Sequence, residues 1–368
     1  MGEVIFKDVW KRYDKLDAVK GLNFVAHEEE FLVILGPSGA GKTSTLKMIA
    51  GVEDVTEGEV YIDGKLANFL EPRERNVAMV FETYALYPHF TVFDNLAFPL
   101  RSPTYRVPED EVRKRVTRVA GMLGMTPLLD RSPGQLSQGQ KQRVGLGRAL
   151  VREPSVFLFD EPLSHVDAKI RHRMRMEIKK IEEEIKTTTI YVTHDYMEAM
   201  SLGDRVIVLD QGQIQQVGSP REIFDNPVNL FVADLIGDPP VNILDTQLTT
   251  VEGETVHCSL DGMCTLPVPP ALRQKIEASG KTHFKVAVRP MFITPYLSEP
   301  ETSHMEGNVY VFERFETGGV LTVSVGENLL RASTDPNLKV ELDQRVWLRL
   351  NPEMIRVFDP DTGMVITP

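Results

Sequence analysis

The sequence has few cysteines, no long apolar run and no excess of positive charge. Cys258 and Cys264 are its only two cysteines in 368 residues, so a fold built on disulfide bonds is not expected. A membrane-spanning helix needs about 18 consecutive apolar residues, and no apolar stretch of the sequence is that long. The 41 lysines and arginines are outnumbered by 53 aspartates and glutamates. This balance disfavours nucleic acid as the main partner, because phosphate contacts need a basic surface.

The composition is that of an ordinary globular protein, with 42% hydrophobic and 26% charged residues, and it disfavours a disordered or fibrous chain. The first residues, MGEVIFKDVW, lack an apolar signal core, so secretion is not expected. The length predicts two or three domains.

Residues 1–236 alternate short apolar runs with helical stretches. This order predicts β–α units around a largely parallel sheet. The predicted strands are Phe31–Leu35, Val156–Phe159, Thr189–Val192 and Arg205–Leu209, the last of which leads into a hairpin. The predicted helices cover residues 42–50, 109–123, 138–151, 167–185 and 195–201.

A second domain is predicted over residues 237–368. The run Gly237-Asp-Pro-Pro-Val241 interrupts the β–α alternation, and Gly and Pro in such clusters mark a boundary. Beyond it, short strand-like runs are separated by turn signals, and 270–278 is the one helical stretch. This pattern predicts a small all-β barrel or sandwich. The strand-like runs lie at 284–288, 307–312, 320–325 and 346–350.

A glycine-rich loop follows the first predicted strand and precedes a helix. It reads Gly36-Pro-Ser-Gly-Ala-Gly-Lys-Thr43 and matches G-x-x-x-x-G-K-[ST] in the strand–loop–helix setting that this motif requires. The glycines allow backbone N–H groups to surround phosphate oxygens, and the following helix N-terminus favours an anion. Lys42 then supplies a full positive charge and Thr43 a hydroxyl for Mg²⁺. The alternative is a glycine-rich turn without a ligand.

Two carboxylates end the predicted strand Val156–Phe159. Asp160 and Glu161 point different ways because successive strand residues alternate. Asp160 is therefore a candidate Mg²⁺ ligand, and Glu161 a candidate base that orients or deprotonates an attacking water. Taken alone, Asp-Glu-Pro is also a common start of a helix.

Two further segments each allow two interpretations. Ser137-Gln-Gly-Gln140 opens a predicted helix with the spacing of a capping box, so it is either a capped helix or also a second anion site. His194 follows a predicted strand and is either a surface histidine or a hydrogen-bond partner of a γ-phosphate.

These motifs together resemble the ATP-binding cassette ATPases. The resemblance covers Tyr13, GPSGAGKT at 36–43, LSQGQ at 136–140, FLFDEP at 157–162, Asp167 and His194, in the order of that family. It implies an α/β P-loop NTPase with a RecA-like core and a helical subdomain.

The tail resembles the OB-like regulatory domain of maltose- and sugar-importer ATPases. The matching runs are Asp238–Asn242, Val288–Pro290 and Arg356–Gly363. The resemblance therefore implies an all-β OB-like domain after the ATPase.

The resemblance implies roles for individual residues, with ATP and Mg²⁺ as cofactors. Tyr13 stacks on adenine, and the phosphates lie against Gly36, Pro37, Ser38, Gly39, Ala40, Gly41, Lys42, Thr43 and Ser44. Thr43, Glu82 and Asp160 serve the metal, while Glu161, His194 and Lys42 are catalytic. The residues expected at a seam with a partner ATPase are Ser137, Gln138, Gly139, Gln140 and Asp167.

The sequence departs from that family at three places. Glu82 stands where the family has glutamine, Gln138 stands where it has glycine, and His165-Val166 replaces Asn-Leu. A carboxylate at position 82 can ligate Mg²⁺ but adds negative charge near the γ-phosphate. These changes raise the alternative of a heterodimer with a sister ATPase instead of a homodimer.

The segment 81–90 resembles the loop on which membrane subunits dock. Its density of aromatic residues favours a docking surface, and the alternative is a local hydrophobic cluster inside the helical subdomain. The resemblance implies two permease subunits docking near Glu82–Phe90, an indirect solute-binding protein, and a peripheral place on the cytoplasmic side of the inner membrane.

These features are compatible with three functions. The favoured one is the motor of an importer for a carbohydrate or polyol, including glycerol derivatives, with polyamine, sulfate or ferric-ion import as alternatives by analogy. A soluble clamp on nucleic acid or ribosomes predicts two cassettes or a basic face, and the sequence has neither. The third is a weakly catalytic regulatory partner.

Overall fold

The computed structural model describes residues 2–81, 86–103, 106–164, 168–251, 254–259, 262, 265–268, 270–300 and 305–366. Its contacts divide the chain into two compact units, Met1–Ile223 and Phe224–Pro368. Within the described ranges, no helix is both long and apolar enough to span a membrane.

The first unit alternates strands and helices. Its strands are β1 (Val4–Tyr13), β2 (Leu16–Ala26), β3 (Phe31–Leu35), β4 (Glu57–Ile62), β5 (Lys65–Leu66), β6 (Val77–Val80), β7 (Val156–Asp160), β8 (Thr188–Thr193), β9 (Arg205–Asp210) and β10 (Gln213–Gly218). Its helices are α1 (Lys42–Ala50), α2 (Val92–Arg101), α3 (Glu109–Met122), α4 (Gln138–Leu150), α5 (Ala168–Ile185) and α6 (Tyr196–Leu202). Helix α7 (Pro220–Asp225) contains the division between the units.

A six-stranded sheet forms the centre of this unit, in the order β10-β9-β3-β8-β7-β6. The pairs from β9 to β6 are parallel, and β10 pairs with β9 as an antiparallel hairpin. All five residues of both β3 and β7 are buried, as expected for parallel strands covered on both faces. The parallel order places the carboxyl ends of β3, β8 and β7 side by side.

A four-stranded antiparallel sheet, in the order β2-β1-β4-β5, packs on the same core. Phe6 and Phe24 stack across it with their ring centroids 4.4 Å apart. They share one hydrophobic cluster with α1 residues such as Leu46 and with β3 and β7 residues such as Ile34 and Leu158. This packing anchors the phosphate loop between two sheets.

The second unit is rich in strands. They are β11 (Asn242–Val251), β12 (Glu254–Ser259), β13 (Thr265–Pro267), β14 (His283–Val288), β15 (Ile293–Tyr296), β16 (Met305–Arg314), β17 (Gly319–Val325), β18 (Asn328–Thr334), β19 (Arg345–Leu350) and β20 (Arg356–Phe358), with helices α8 (Leu230–Leu235) and α9 (Arg273–Ala278). Two five-stranded sheets, ordered β13-β12-β11-β14-β20 and β15-β19-β16-β17-β18, enclose one hydrophobic core that includes Phe284 and Leu321.

The predicted fold class is confirmed by these two architectures. The predicted strands and helices of the first unit correspond to β3, β7, β8, β9, α1, α3, α4, α5 and α6 with ends shifted by a residue or two. The antiparallel sheet and α2 were not predicted. The boundary at 236/237 stays a prediction, since the contacts divide the chain after Ile223.

Candidate active site

The candidate site lies where three neighbouring parallel strands end. The phosphate loop starts at Gly36 after β3, Glu161 follows β7, and His194 follows β8. The backbone N–H of Gly36 donates to Thr193 O at 3.3 Å, and the N–H of Glu161 donates to Val192 O at 3.0 Å. The carboxyl end of such a sheet is where open α/β folds bind ligands. The predicted phosphate loop, Glu161 and His194 meet here.

Glycine is required in the phosphate loop for two reasons. Gly39 and Gly41 have φ angles of 83° and 102°, in the left-handed region that other residues rarely adopt. A Cβ on Gly41 would also lie 2.4 Å from the carbonyl oxygen of Ala18. Gly41 is the N-cap of α1 and offers no side-chain cap, so the first amide groups of the helix remain for a ligand. This cradle of backbone donors fits a phosphate group.

Lys42 points its charge into that cradle although only 4% of its side chain is exposed. Its Nζ donates to the carbonyl oxygens of Gly36 and Pro37, each at 3.0 Å. It also lies 3.3 Å from Glu161 Oε1. Among the described residues, one carboxylate, that of Glu161, pairs with this buried ammonium group. An anionic ligand would therefore supply further charge compensation that a buried cation needs.

Glu161 is held between Lys42 and His194. Its Oε2 lies 2.7 Å from His194 Nδ1. Its φ angle is 45°, a left-handed conformation that costs a non-glycine residue about 1–3 kcal/mol. The hydroxyl of Ser164 donates to Glu161 O at 2.9 Å, which helps to hold that conformation. The carboxylate is thus aimed into the space beside the phosphate loop.

Thr43 and Asp160 supply oxygen ligands for a divalent cation. The Thr43 hydroxyl donates to Asp160 Oδ1 at 2.9 Å, and Asp160 is only 6% exposed. No cluster of three His, Cys, Asp or Glu side chains suited to a metal occurs in the described part of the chain. A hydroxyl and one carboxylate, completed by phosphate oxygens and water, is the kind of site that Mg²⁺ uses on nucleotides.

Tyr13 borders the phosphate loop. Its hydroxyl donates to Ser44 Oγ at 3.3 Å, and the Lys11 ammonium lies 4.7 Å from the ring centroid. Lys11 is in turn fixed by Glu53 at 3.1 Å. The half-buried ring therefore offers a rigid face next to the helix start, where its predicted stacking on adenine stays a prediction.

The start of α4 forms the predicted capping box. Gln140 N donates to Ser137 Oγ at 3.3 Å, and Ser137 N donates to Gln140 Oε1 at 2.9 Å. Ser137 and Gln138 are exposed and Gly139 is buried. Among the residues that the structure describes, no hydrogen bond or ion pair links this segment to the phosphate loop. The helix cap is confirmed, and the role toward a partner's phosphate stays a prediction.

Two predicted site residues, Glu82 and Asp167, lie outside the described residues.

The described end of the docking segment carries an aromatic cluster. Tyr87 lies 5.4 Å from Phe90 and 4.5 Å from Phe98, measured between ring centroids. The buried amide of Asn95 accepts from Tyr87 N and donates to Phe90 O. Tyr87 and Phe98 remain 39% and 41% exposed, so the cluster packs on itself and still presents an apolar surface.

Arg75 was missed by the sequence reasoning. It donates to Met48 O at 2.6 Å and Ile49 O at 3.0 Å, which closes the carboxyl end of α1. Burial lowers the pKa of this guanidinium group. A lone arginine before a strand carries no sequence signal for such a long-range contact.

Glu198 was also missed. It is 2% exposed and accepts hydrogen bonds from Tyr191 and Thr193. These bonds lie below residues 193–195, which carry His194 and are called the histidine turn. Burial raises the pKa of Glu198. Its position in the first turn of α6 is ordinary for an acidic residue, so the sequence gave no reason to single it out.

Comparison with known proteins agrees with this geometry. A family model described as ABC transporter matches residues 19–164. The trehalose/maltose import ATP-binding protein of Thermococcus litoralis is 52% identical over 255 residues, 68% of each chain. The sn-glycerol-3-phosphate import ATP-binding protein of Ralstonia nicotianae is 40% identical over 363 residues, 98% of each chain.

A solved structure is also similar. It is an ATP-binding cassette in a dimeric post-hydrolysis state, bound to ADP and Pi. The TM-score is 0.54 at 35% identity, and the match covers 59% of this chain and 99% of that one. The similarity to this solved structure thus covers only part of the present chain.

Proposed function

Because this chain belongs to the family of ABC transporter ATPases, we propose that it is the ATP-hydrolysing subunit of an importer for a carbohydrate or a glycerol derivative. The observation that carries the proposal is the position of Glu161, which lies after β7 and is held between Lys42 and His194 beside the phosphate loop. The names of the two relatives, importers of trehalose/maltose and of sn-glycerol 3-phosphate, support the solute class.

The phosphate loop binds the nucleotide. Backbone amides at the start of α1 and the Lys42 ammonium group face the β- and γ-phosphates, and Tyr13 takes the adenine. Thr43 and Asp160 hold Mg²⁺, with Glu82 as a further ligand. When bound, MgATP supplies the γ-phosphoryl group and a cation that neutralises its oxygens.

Glu161 is the catalytic base. Its carboxylate orients a water and takes its proton, a task for which the carboxylate must be fixed close to the phosphate site. His194 hydrogen-bonds Glu161 and keeps the carboxylate from turning away, and it also contacts the γ-phosphate. The Lys42 charge offsets negative charge that develops on the phosphoryl oxygens.

A second ATPase subunit completes each site. The exposed start of α4, from Ser137 to Gln140, presents a helix N-terminus to the γ-phosphate held by the partner, and Asp167 lies at the seam. The partner is a second copy or a sister ATPase. Glu82, Gln138 and His165-Val166 are then the positions at which this chain departs from the pattern of the family.

Two permease subunits dock on the aromatic surface of Tyr87 and Phe98. Exposed rings above a packed cluster fit an apolar anchor of a partner. The subunit then acts on the cytoplasmic side of the inner membrane, and a solute-binding protein selects the cargo.

The proposal is tested by uptake into vesicles that contain the chain and its permease subunits, with the solute-binding protein added outside. Uptake of labelled maltodextrin or glycerol 3-phosphate is expected with ATP inside, and none with Glu161→Gln. Uptake that is equal with and without ATP would overturn it. Transport of only polyamine, sulfate or ferric ion would overturn the solute class.

A further inference from the structure

Beneath the histidine turn lies a buried carboxylate that the proposed chemistry does not use. Glu198 Oε2 accepts from the hydroxyl of Tyr191 at 2.8 Å and from the hydroxyl of Thr193 at 2.7 Å. Tyr191 is 0% exposed and Glu198 is 2% exposed. Burying a carboxyl group is costly unless it is hydrogen-bonded, and here both donors come from the strand that leads to His194.

Thr193 connects this carboxylate to both sides of the site. Its hydroxyl also accepts from Asp195 N at 3.0 Å, which fixes the residue after His194. Its carbonyl accepts from Gly36 N at 3.3 Å, at the start of the phosphate loop. Thr193 thus links three parts of the site: its hydroxyl joins Glu198 on α6 to the backbone at Asp195, and its backbone carbonyl contacts the start of the phosphate loop.

The other side of the turn is fixed as well. Asp195 caps α6 by accepting from Met197 N at 2.8 Å, and Arg171 Nη1 on α5 donates to Asp195 Oδ2 at 3.2 Å. The side chain of His194 itself is 51% exposed, so packing does little to hold its ring. Its position beside Glu161 depends on the backbone of Thr193 and Asp195.

We propose that Glu198 is a positioning residue that, through Thr193, holds His194 in hydrogen-bond reach of Glu161. The proposal deepens the proposed function and rests on it for its kinetic test. Glu198 is buried and hydrogen-bonded to Tyr191 and Thr193, so its role is distinct from that of the groups that face the nucleotide. It acts by fixing the turn, and a misplacement of about 1 Å is enough to lower a rate by about 100-fold.

The test uses the full chain with four single variants and one double variant, Glu198→Ala with Thr193→Val. Glu198→Ala removes the acceptor and Thr193→Val removes the hydroxyl that joins it to the turn. Glu198→Gln keeps an acceptor oxygen. Leu202→Ala is the matched control, because Leu202 is equally buried in α6 but makes no side-chain hydrogen bond to the turn.

Glu198→Ala and Thr193→Val are expected to lower kcat for MgATP about 10- to 100-fold while KM changes by less than about threefold. Because both act on one link, the double variant is expected to lose little more than either single one. Glu198→Gln is expected to keep most of the wild-type kcat, in contrast to Glu198→Ala. Leu202→Ala lowers the melting temperature and leaves kcat of the folded protein unchanged.

A second readout does not depend on hydrolysis. Amide hydrogen exchange in the segment 192–196 is expected to be faster in Glu198→Ala and Thr193→Val than in Leu202→Ala. Unchanged exchange there, or a kcat loss that Leu202→Ala shares, would overturn the positioning role. A wild-type chain that hydrolyses no ATP would contradict the proposed function. The amide hydrogen exchange rates would still test whether Glu198 fixes the histidine turn.

Discussion

Nδ1 of His194 lies 2.7 Å from Oε2 of Glu161. The other carboxylate oxygen of Glu161 faces Lys42 at 3.3 Å. The base candidate is therefore held from two sides, by the residue that follows β8 and by the first residue of α1. The histidine side is exposed to solvent and the lysine side is buried, so His194 is the partner that can be removed without opening the core.

His194→Ala should therefore separate catalysis from binding. We expect kcat for MgATP to fall about 10²- to 10⁴-fold, the range for loss of a group that serves proton transfer. The dissociation constant for ATP should change little, because the phosphate loop is intact. Measurement of phosphate release and of ATP binding by fluorescence checks this. His172→Ala, an exposed histidine on α5, is the control and should hydrolyse ATP at the wild-type rate.

Asp160→Asn should change the metal requirement. Asp160 accepts from Thr43 in the proposed Mg²⁺ site, and an amide is a weaker ligand for this hard cation than a carboxylate. The Mg²⁺ concentration for half-maximal ATPase should rise about tenfold or more. ATP binding in the presence of a chelator should be unaffected. An unchanged Mg²⁺ requirement would remove Asp160 from the metal site, and the exposed Asp130 changed to Asn serves as the control.

Because of Glu198, the free energy of unfolding should fall as the pH rises. Burial raises the pKa of Glu198 above its ordinary value of 4.5, and Asp195 adds to this while Thr193, Tyr191 and Arg171 oppose it. Below 4.5 the carboxyl group is protonated in both states, so its contribution to stability is fully present there. As pH rises through the raised pKa, the unfolded state loses its proton first and that contribution is lost.

The matching measurement compares the wild type with Glu198→Gln, which does not titrate at this position. The free energy of unfolding of the wild type relative to this variant should fall as the pH rises from the ordinary value of 4.5 through the raised pKa of Glu198. Urea unfolding at several pH values measures it. A difference that stays constant, or one that grows with pH, would contradict the assigned direction.

Asn242 joins the two sheets of the second unit. Its amide donates to Val288 O at 3.2 Å and to Arg331 O at 2.9 Å, and its oxygen accepts from Arg331 N at 2.7 Å. Asn242→Leu removes these three hydrogen bonds, one buried and two partly buried, at a cost of about 2–4 kcal/mol in unfolding free energy. The exposed Asn337 changed to Leu should cost less than about 0.5 kcal/mol. Equal losses in the two variants would contradict the role of Asn242.

The sequence was sufficient for the elements that carry strong local patterns. The apolar run Phe31–Leu35, the glycine loop and the helix after it leave few alternatives, because each requires a particular backbone geometry. The two carboxylates after Val156–Phe159 could be placed opposite the loop for the same reason, since parallel strands end at one edge.

The missed elements depend on long-range contacts. Helix α2 contains Pro99 and lies in a segment dense in aromatic residues, although Thr91 and Asp94 form its N-cap. The strands β1 and β2 are interrupted by register shifts, which weakens the period-two pattern that marks a strand. Glu198 and Arg75 act through residues far from them in the chain or on another element, and nothing local distinguishes them from ordinary helix and loop residues.

The most direct test of the account is phosphate release from MgATP by the purified chain, with and without its permease subunits, compared between wild type and Glu161→Gln. We expect the wild type to release phosphate continuously. We expect Glu161→Gln to bind ATP with similar affinity and to release phosphate at least about 100-fold more slowly than the wild type. A wild-type chain that releases no phosphate, or a Glu161→Gln variant that matches it, would contradict the account.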